Sequence, residues 1–373
     1  MIPLRVAVIG TGHLGRIHAR LAAGLEEVEL VAVADSVESS RTNVAREFGT
    51  RAVADFRELI GEIDAAIVAT PTFTHHAIGC ELLSGGVPLL IEKPLAPTAR
   101  EANELVALAR RQNLVLQVGH VERFNSALEC VSADVRDPKF IEATRTSGYS
   151  FRSMDIGVVL DVMIHDLDIV LALARSTVED VQALGASVLG GHEDMASARL
   201  TFASGCVAQL SASRVSFQQQ RTMSIFTGRG CASINFATHE ATVVKPREDV
   251  LRREFPLDQL TATDRAYWKE HLFDELLVRT QQNAPPVNAI QEEQRDFVRS
   301  IREGKSPRVD GAAGRDAVVV AEAILERIEE HAWDGTASGR RGPFAMPALP
   351  IIGGATQWPA DAPSEALPRR RAG

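Results

Sequence analysis

Residues 4–15, LRVAVIGTGHLG, decide the fold. The first six form a short apolar run rich in β-branched residues, as in a buried strand, and the glycine pattern G-x-G-x-x-G follows at residues 10–15. Arg16–Leu25 then has the spacing of an amphipathic helix, so the glycines lie at a strand-to-helix turn. Glycines there let the backbone approach a pyrophosphate at the helix N-terminus, where unpaired N–H groups favour anions. The stretch therefore predicts a dinucleotide-binding turn.

An acidic residue at the expected distance supports this interpretation. Glu29–Ala34 is a second β-rich run, and Asp35 follows it about 20 residues after the last glycine, where the fingerprint places the acid that binds the ribose hydroxyls. Because a carboxylate repels a 2′-phosphate, Asp35 favours NAD over NADP. No arginine directly follows Asp35, although Arg41 is close enough in sequence to keep NADP as the second choice. The alternative is a structural acid at a strand end.

Three further apolar runs alternate with helical segments: Ala65–Ala69, Pro88–Ile91 and Leu114–Val118. Alternating strands and helices predict a parallel, doubly wound sheet, whose ligands bind beyond the carboxyl ends of the strands. The candidate site residues at or just after these ends are Thr70, Pro71, His75, Glu92, Lys93 and His120. The alternative for a lysine at such a place is an ordinary solvated charge.

The pattern changes from about Arg123. Six β-rich segments separated by turn signals follow, without helices between the later ones, which predicts a mostly antiparallel sheet in an α+β domain. These segments are Phe140–Thr146, Val181–Ala186, Met195–Phe202, Cys206–Arg214, Thr222–Thr227 and Cys231–Asn235. Helical patterns return at Thr261–Val278, Glu292–Arg302 and Arg315–His331.

These patterns divide the chain into three parts. We predict a Rossmann dinucleotide-binding domain at residues 1–122 and an α/β substrate-binding and oligomerisation domain at residues 123–332. Residues 333–373 are rich in Gly, Pro, Ala and Arg, which predicts a tail that is flexible or that orders on a partner subunit. The predicted fold class is α/β, with a doubly wound parallel sheet followed by a large, open, mostly antiparallel sheet. Because an unpaired open sheet tends to associate, at least a dimer is expected.

The stretch Val158–Ala174 is almost wholly apolar but carries several acidic residues and one histidine. On a helix, residues three or four apart are neighbours, so Asp161, His165 and Asp168 share a face, whereas Asp166 points away from it. Since burying charged side chains is costly, titratable groups on one face of a buried helix indicate a cleft. The alternative is a structural His–Asp pair inside the core. A metal site is not expected, because no further histidine or cysteine has ligand spacing.

The composition argues against several classes of function. A net charge of −9 over 373 residues opposes bulk attraction to nucleic acid or to an anionic membrane. The four cysteines are widely separated, which fits reduced thiols better than disulfides or a zinc site. No apolar run has membrane-spanning length, and a strand beginning near Leu4 leaves no room for a signal peptide. We therefore expect a cytoplasmic protein with a small-molecule substrate.

Three motifs in this order resemble the Gfo/Idh/MocA family of NAD(P)-dependent oxidoreductases over roughly residues 1–332: GTGHLG at 10–15, EKP at 92–94, and DVMIH at 161–165, which fits the family's D-x-x-x-H. The resemblance implies a Rossmann domain followed by an α/β domain whose open sheet forms the interface of a homodimer or homotetramer. It also implies that Lys93, Asp161 and His165 are catalytic. Many family members have a glycine run before the aspartate, whereas Gly157 stands alone here.

Within the family, GHVERFNSAL at residues 119–128 and VVLDVMIHDLDI at residues 158–169 are similar to bacterial UDP-N-acetylglucosamine 3-dehydrogenases. Those enzymes oxidise the C3 hydroxyl of the sugar to a ketone, ahead of amination for lipid A assembly, and the resemblance implies the same reaction here. Two alternatives stay open: a free-sugar or inositol dehydrogenase of the same family, and a non-catalytic NAD-binding regulator. The three catalytic residues argue against the regulator, because a sensor needs none of them.

The implied chemistry is hydride transfer from a secondary alcohol carbon to the nicotinamide of NAD. Either Lys93 or His165 takes the alcohol proton, Lys93 stabilises the developing charge on the oxygen, and Asp161 orients the imidazole or binds a neighbouring hydroxyl. The residues expected to contact the cofactor are Gly10, Thr11, Gly12, His13, Leu14, Gly15, Asp35, Thr70, Pro71, His75, Glu92 and Lys93. Those expected to contact the sugar or its diphosphate are His120, Arg123, Arg145, Arg152, Asp168 and Arg214.

Overall fold

The computed structural model arranges the chain around two β-sheets, of six and eight strands. It describes residues 2–151, 154–285, 287–333, 335–336 and 338–346. Within these ranges, no helix combines the length and the apolar character needed to cross a bilayer. The predicted α/β fold class is confirmed, since the first sheet is parallel and the second is mostly antiparallel.

The first sheet and its helices contain β1 (Leu4–Ile9), α1 (His13–Ala23), β2 (Val28–Ala34), α2 (Glu38–Phe48), β3 (Arg51–Val53), β4 (Ala65–Val68), α3 (His75–Ser84), β5 (Leu89–Glu92), α4 (Ala99–Gln112) and β6 (Leu116–Gly119). The strand order is β3-β2-β1-β4-β5-β6, and every neighbouring pair is parallel. Strands β4, β5 and β6 are buried along their whole length, as expected for a sheet covered by helices on both faces. The strand order reverses between β1 and β4, so their carboxyl ends open the crevice in which such sheets bind ligands.

The second sheet contains β7 (Pro138–Thr146), β8 (Val178–Ala186), β9 (Met195–Phe202), β10 (Val207–Ser213), β11 (Gln220–Thr227), β12 (Gly230–Asn235), β13 (Glu240–Pro246) and β14 (Leu277–Asn283). Its order is β14-β13-β12-β11-β7-β10-β9-β8, and only β7 and β10 are parallel neighbours. Buried residues alternate with more exposed ones along β9 and β10, so one face packs on the core. Ser204 and Gly205 form the turn between these two strands, where Gly205 adopts φ +79°, a conformation that favours glycine.

The other helices are α5 (Ser126–Cys130), α6 (Ile164–Ala174), α7 (Glu248–Leu251), α8 (Ala262–His271), α9 (Ala289–Glu303) and α10 (Gly311–Glu330). Although α10 follows the second sheet in sequence, it packs against β6 of the first. A Cβ on Gly311 would lie 2.6 Å from Leu116 Cδ2, and one on Gly314 would lie 2.4 Å from Val118 Cγ2, so both glycines permit this close contact. Because α10 also contacts α6 and β8, it joins the two sheets through a shared core.

A π-helical turn at Val159–Met163 leads into α6. Gly157 precedes this turn, and a Cβ on it would lie 2.0 Å from Glu193 Oε1. The same oxygen accepts a hydrogen bond from the Val159 amide at 3.0 Å, and the Glu193 carbonyl accepts one from the Val158 amide at 2.9 Å. Glu193 therefore fixes the start of the helical segment, and its carboxylate occupies the space that a side chain at Gly157 would need.

The predicted helix at Thr261–Val278 is only partly correct. Helix α8 ends at His271, a π-helical turn follows at Leu272–Leu276, and the chain continues directly into β14. The sequence pattern predicted neither β13 nor β14. Both lie at or next to an edge of the sheet, where polar side chains are tolerated and the apolar alternation is weak.

The first part of the predicted tail folds back on the second sheet. Trp333 Nε1 donates a hydrogen bond to the Gly342 carbonyl at 3.0 Å, and the Ser187 amide donates one to the Pro343 carbonyl at 2.9 Å. The remaining part of the predicted tail, residues 347–373, lies outside the described residues.

Candidate active site

The turn after β1 is shaped by its three glycines. Gly10 adopts φ +92°, and a Cβ on it would lie 2.5 Å from the Ala69 carbonyl oxygen, so only glycine lets the turn pass this close to the end of β4. A Cβ on Gly15 would lie 1.8 Å from the Gly10 carbonyl oxygen, so Gly15 lets α1 pack against the turn. Gly12 is different, because nothing lies within 4 Å of its Cβ position. The turn therefore has an open side where a ligand can approach the backbone.

The N-terminus of α1 is suited to an anion. Its N-cap residue makes no side-chain capping bond and its first turn contains no acidic residue, so the positive end of the helix dipole is unopposed. His13 and Leu14 are exposed in this turn. A cavity of about 840 Å³ adjoins it, with a lining that includes Gly10, Gly12, Asp35, Thr70 and Pro71. Turn and cavity together fit the pyrophosphate and one nucleoside of a dinucleotide.

Asp35 lies in the lining of this cavity, where hydrogen bonds hold its carboxylate in place. Oδ2 accepts bonds from Thr11 N at 2.7 Å and Thr11 Oγ1 at 2.8 Å, and Oδ1 accepts one from the Val37 amide at 2.9 Å. A carboxylate has about four acceptor positions, so one remains for a ribose hydroxyl. Arg41 donates to the Asp35 carbonyl oxygen at 3.3 Å and to the Ser36 carbonyl oxygen at 3.2 Å, which holds its guanidinium close to Asp35.

His75 lies behind the cavity and does not face it. Its side chain is fully buried, and its two ring nitrogens lie 2.9 Å from the carbonyl oxygens of Thr70 and Pro94. The expectation that His75 contacts the cofactor is therefore wrong. The ring joins the loops after β4 and β5, and so positions Thr70 at the edge of the cavity.

Glu92 also acts from inside the protein. Its side chain is buried, Oε1 lies 2.8 Å from His18 Nε2, and Oε2 accepts a hydrogen bond from the Lys93 amide at 3.1 Å. Gln294 on α9 lies 2.9 Å from His18 Nδ1, so the network connects β5 to the C-terminal helices. Glu92 thus orients the loop that carries Lys93.

Lys93 and Asp161 connect the EKP and DVMIH motifs directly. Lys93 Nζ donates to the Asp161 carbonyl oxygen at 2.7 Å and to Asp161 Oδ1 at 2.9 Å, and the two side chains are only 14% and 20% exposed. An ammonium group has three donors, so one stays available for an oxygen atom of a substrate. The structure therefore brings together two of the three residues that the resemblance implied to be catalytic.

His165 is partly exposed and lies near Lys93. Burial lowers the pKa of its imidazole well below the usual value, and the positive charges of Lys93, Arg145 and Arg221 add to this effect. His165 is therefore neutral at pH 7, the form that can accept a proton. The ring of His120 contacts it edge to face, with the ring centroids 6.5 Å apart.

Two of the arginines expected to bind a diphosphate are engaged within the protein. Arg145 is buried and donates hydrogen bonds of 2.7 Å to both Asp166 Oδ1 and Glu122 Oε1. Arg214 is buried and donates one of 2.8 Å to Asp194 Oδ1. The expectation that they contact the substrate is therefore wrong, because each satisfies buried carboxylates that would be costly to leave unpaired.

The remaining substrate candidates lie in different surroundings. Arg123 Nη1 donates to Asp168 Oδ1 at 3.3 Å, and the Arg123 side chain is 18% exposed while that of Asp168 is buried. Asp168 is thus paired with a cation at the edge of the site. His120 is fully buried behind His165. Arg152 lies outside the described residues.

Arg221 is a cation near the site that the sequence pattern did not single out. It lies opposite Arg145 in the register of β11 and β7. It stands two and four residues before the buried Met223 and Ile225, so it shares their face of the sheet, the one that helices cover. Its side chain is exposed, and no residue in the described ranges forms an ion pair with it. Nothing in the local sequence distinguishes it from a solvated arginine, since its position depends on strand pairing.

Glu293 is the second residue that the sequence pattern missed. It lies in α9, is fully buried, and has no hydrogen-bond partner for either carboxylate oxygen among the described residues. A signal was present, because Glu293 stands four residues before the buried Phe297 and so lies on the buried face of the helix.

Two family profiles match successive parts of the chain. Residues 4–120 match the profile described as "Oxidoreductase family, NAD-binding Rossmann fold". Residues 126–233 match the profile described as "GFO/IDH/MocA C-terminal domain". The two matched regions cover the parallel sheet and β7 to β11 with most of β12, so they contain every residue of the candidate catalytic group.

Named dehydrogenases are among the relatives. The UDP-N-acetylglucosamine 3-dehydrogenase of Acidithiobacillus ferrooxidans is 39% identical over 237 residues, which are 63% of this chain and 75% of the relative. The scyllo-inositol 2-dehydrogenase (NAD(+)) of Bacillus subtilis is 29% identical over 232 residues, which are 57% of this chain and 68% of the relative.

Solved structures agree with this picture. A UDP-N-acetylglucosamine 3-dehydrogenase from Acidithiobacillus ferrooxidans has a TM-score of 0.77 and 32% identity, covering 88% of this chain and 99% of that one. Levoglucosan dehydrogenase in complex with NADH and levoglucosan has a TM-score of 0.73 over 88% of this chain and 98% of that one. Its identity is 19%, so this second likeness shows the fold alone.

Proposed function

Because this chain belongs to the Gfo/Idh/MocA family of oxidoreductases, we propose that it oxidises a hydroxyl group of a nucleotide sugar with NAD as the hydride acceptor. It is a dehydrogenase of a sugar CH–OH group, like its named relatives. The finer part of the proposal is the substrate, C3 of UDP-N-acetylglucosamine. The observation that carries the chemistry is the contact between Lys93 and Asp161 beside the neutral imidazole of His165.

The cofactor supplies the hydride acceptor, and the chain supplies orientation and proton handling. Lys93 donates both of its hydrogen bonds to Asp161, which leaves its third N–H to hold the substrate oxygen and stabilise negative charge on it. His165 is neutral and accepts the alcohol proton. A positioned donor contributes a factor of about 10²–10³ and a general base one of about 10²–10⁴. Asp161 acts by fixing the direction of the Lys93 ammonium.

Asp35 supports NAD as the preferred cofactor. Its carboxylate lies in the lining of the cavity and is fixed by three donors, so it can accept a hydrogen bond from a ribose hydroxyl but would repel a 2′-phosphate. Arg41 bonds to carbonyl oxygens of the chain, and this reduces its capacity to bind such a phosphate.

Arg221 supports a substrate that carries a diphosphate. Burial is the main cause of the lowered pKa of His165, and the cations Lys93, Arg145 and Arg221 add to it. Lys93 is bonded to Asp161, and Arg145 is bonded to buried carboxylates. Arg221 is the third, and its exposed guanidinium has no such bond within the described ranges. A guanidinium forms bidentate, charge-assisted hydrogen bonds with phosphate oxygens. We therefore assign the diphosphate of the nucleotide sugar to Arg221.

A substrate panel tests this function. UDP-N-acetylglucosamine, other UDP-sugars, inositols and free sugars are mixed with NAD, and NADH formation is followed by its absorbance. We expect UDP-N-acetylglucosamine to give the highest kcat/KM. If only free polyols reduce NAD, the nucleotide-sugar assignment is wrong and the inositol relative is the better guide.

A pair of arginine variants tests the diphosphate site. Arg221→Met should raise KM for UDP-N-acetylglucosamine about 10- to 100-fold, the value of a hydrogen bond to a charged group, and leave KM for NAD nearly unchanged. Arg199→Met is the matched control, because Arg199 is an exposed arginine of β9 on the opposite face of the same sheet. Equal KM values for the two variants would exclude Arg221 from the site.

A further inference from the structure

A group of buried polar side chains lies behind His165 and has no part in the reaction as described so far. His120 and Glu293 are both fully buried. Within the described part of the chain, neither ring nitrogen of His120 and neither carboxylate oxygen of Glu293 has a hydrogen-bond partner. Leaving one such group unpaired costs about 1–3 kcal/mol, so native proteins rarely keep several together without a use for them.

These side chains belong to one cluster. Burial lowers the pKa of His120, and the positive charges of Lys93 and Arg123 lower it further, while the carboxylates of Asp168 and Glu92 oppose the shift. Burial raises the pKa of Glu293 well above its usual value, and the same two carboxylates add to the effect. Gln117, on the strand that leads to His120, donates a hydrogen bond to the Glu293 carbonyl oxygen at 2.9 Å. The cluster therefore lies where β5, β6, α6 and α9 meet.

His165 connects this cluster to the cleft. Its Nδ1 is buried and has no partner among the described residues, while the ring as a whole is partly exposed, so Nε2 is the nitrogen on the cleft side. The His120 ring is nearly perpendicular to the His165 ring, with the ring centroids 6.5 Å apart, so a water beside the two rings can bond to a nitrogen of each. The ring nitrogens of both histidines that have no partner among the described residues provide the two or more hydrogen-bond partners that a buried water needs.

We propose that His120 and Glu293, together with bound water, form a proton path that starts at Nδ1 of His165 and leads away from the cleft. The alcohol O–H bond breaks as its proton moves to Nε2, and the proton on Nδ1 passes through water to His120 and Glu293. The alcohol carbon loses a hydride to the nicotinamide, so carbon is oxidised, the cofactor is reduced, and one proton is released. Asp296, one turn further along α9 and paired with the exposed Arg299, leads from Glu293 towards solvent.

The path answers an electrostatic problem at His165. Lys93, Arg145 and Arg221 all disfavour a positive imidazolium there, so a proton accepted at one nitrogen has to leave from the other. His120 and Glu293 suit the relay because burial lowers the pKa of the imidazole and raises that of the carboxyl group well above its usual value, so it favours the neutral form of each, and a neutral imidazole or carboxylic acid can donate and accept at once.

Proton release timed against hydride transfer tests the path, which rests on the proposed role of His165. In a stopped-flow single turnover, NADH absorbance reports hydride transfer and a pH indicator reports the proton that reaches solvent. The two signals should rise together in the native enzyme. In Glu293→Gln the proton signal should lag, and kcat should fall about 10- to 100-fold, within the contribution of general acid–base catalysis. His120→Asn should show the same lag and carries the test if the first variant does not fold.

Asp194→Asn is the matched control, because it also converts a buried carboxylate to an amide but lies in the Arg214 ion pair. It should lose stability without a lag. Infrared spectroscopy of the resting enzyme gives a readout that needs no turnover: the carbonyl band of a protonated carboxylic acid should vanish in Glu293→Gln and persist in Asp194→Asn. Simultaneous signals in both Glu293→Gln and His120→Asn would overturn the path. Full activity in His165→Ala would instead refute the proposed role of His165 itself.

Discussion

Replacing Lys93 by methionine separates its proposed catalytic role from its structural one. Methionine keeps most of the length and apolar stem of lysine but removes the three donors of Nζ. Two of those donors hold the carbonyl oxygen and Oδ1 of Asp161. The third is assigned to the substrate oxygen, so the substitution should lower kcat strongly while NAD binding, which depends on the turn after β1, stays close to native.

The magnitudes follow from the environment of the pair. Removing one partner of a buried ion pair costs about 3–5 kcal/mol, and the 14% and 20% exposure of these side chains places the loss at the lower end, about 3 kcal/mol. Losing a charge-stabilising donor lowers kcat by a factor of about 10²–10³. The loss of stability and the loss of activity can be separated by a second substitution. Lys93→Met combined with Asp161→Asn removes the unpaired charge and should recover most of the stability, but it should recover none of the activity.

Urea unfolding gives the stability of both variants, stopped-flow absorbance gives kcat, and calorimetry gives the Kd of NAD. Single-variant effects on a coupled pair are not additive, so the double variant should be no less active than Lys93→Met alone. The reasoning would be refuted by near-native turnover in Lys93→Met. It would equally be refuted if activity returned together with stability in the double variant, since the lysine would then act only by holding the fold.

Three further outcomes are expected. Gly12→Val should raise the Kd of NAD by about tenfold or more, measured by calorimetry, with an unchanged Tm, because its side chain enters the open space beside the turn and nothing of the protein lies within 4 Å. Asp35→Ser should raise kcat/KM for NADP relative to NAD, since the carboxylate that repels a 2′-phosphate is removed. Burial raises the pKa of Asp194, but hydrogen bonds from the Leu189 amide and from Arg214 outweigh it and keep the pKa below the usual value. The stability that Asp194 contributes is therefore present above about pH 3.9 and is lost as the pH falls through the pKa of Asp194 in the folded protein. Urea unfolding of Asp194→Asn between pH 6 and pH 3 should lack that part of the pH dependence of stability.

The parts of the fold that local patterns determine could be predicted from the sequence. Five of the six strands of the first sheet, the turn at residues 10–15 and the position of Asp35 all depend on residues close together in the chain, whereas the three-residue edge strand β3 was not predicted. Strands β13 and β14 escaped prediction because they form at or beside a sheet edge, where pairing with a neighbour, and not apolar alternation, determines the conformation. The π-helical turn before α6 depends on Glu193, a contact more than thirty residues away that no local pattern contains.

The candidate site was predictable as a set of motifs but not as a set of contacts. Lys93 and Asp161 are separated by 68 residues, and only the fold shows that they are bonded. The arginines show the same limit more sharply. Arg145 and Arg221 are directly opposite each other on paired strands, yet the first is buried between carboxylates and the second is exposed. Their local sequences give no reason for the difference, because the carboxylates come from α6 and from the turn before α5.

This distribution of ion pairs is consistent with the proposed binding of two anionic ligands to an acidic chain. The net charge of −9 opposes phosphate groups in general, so attraction has to be local. In the proposed function this comes from positive groups that are not held in an ion pair: the N-terminus of α1 has no acidic residue in its first turn, and Arg221 forms no ion pair among the described residues. Arg145 and Arg214, which are buried, are neutralised by Asp166, Glu122 and Asp194. If this reasoning is correct, the positions at which phosphate binds are set by where carboxylates are missing, and placing one beside Arg221 should weaken substrate binding as much as removing the arginine does.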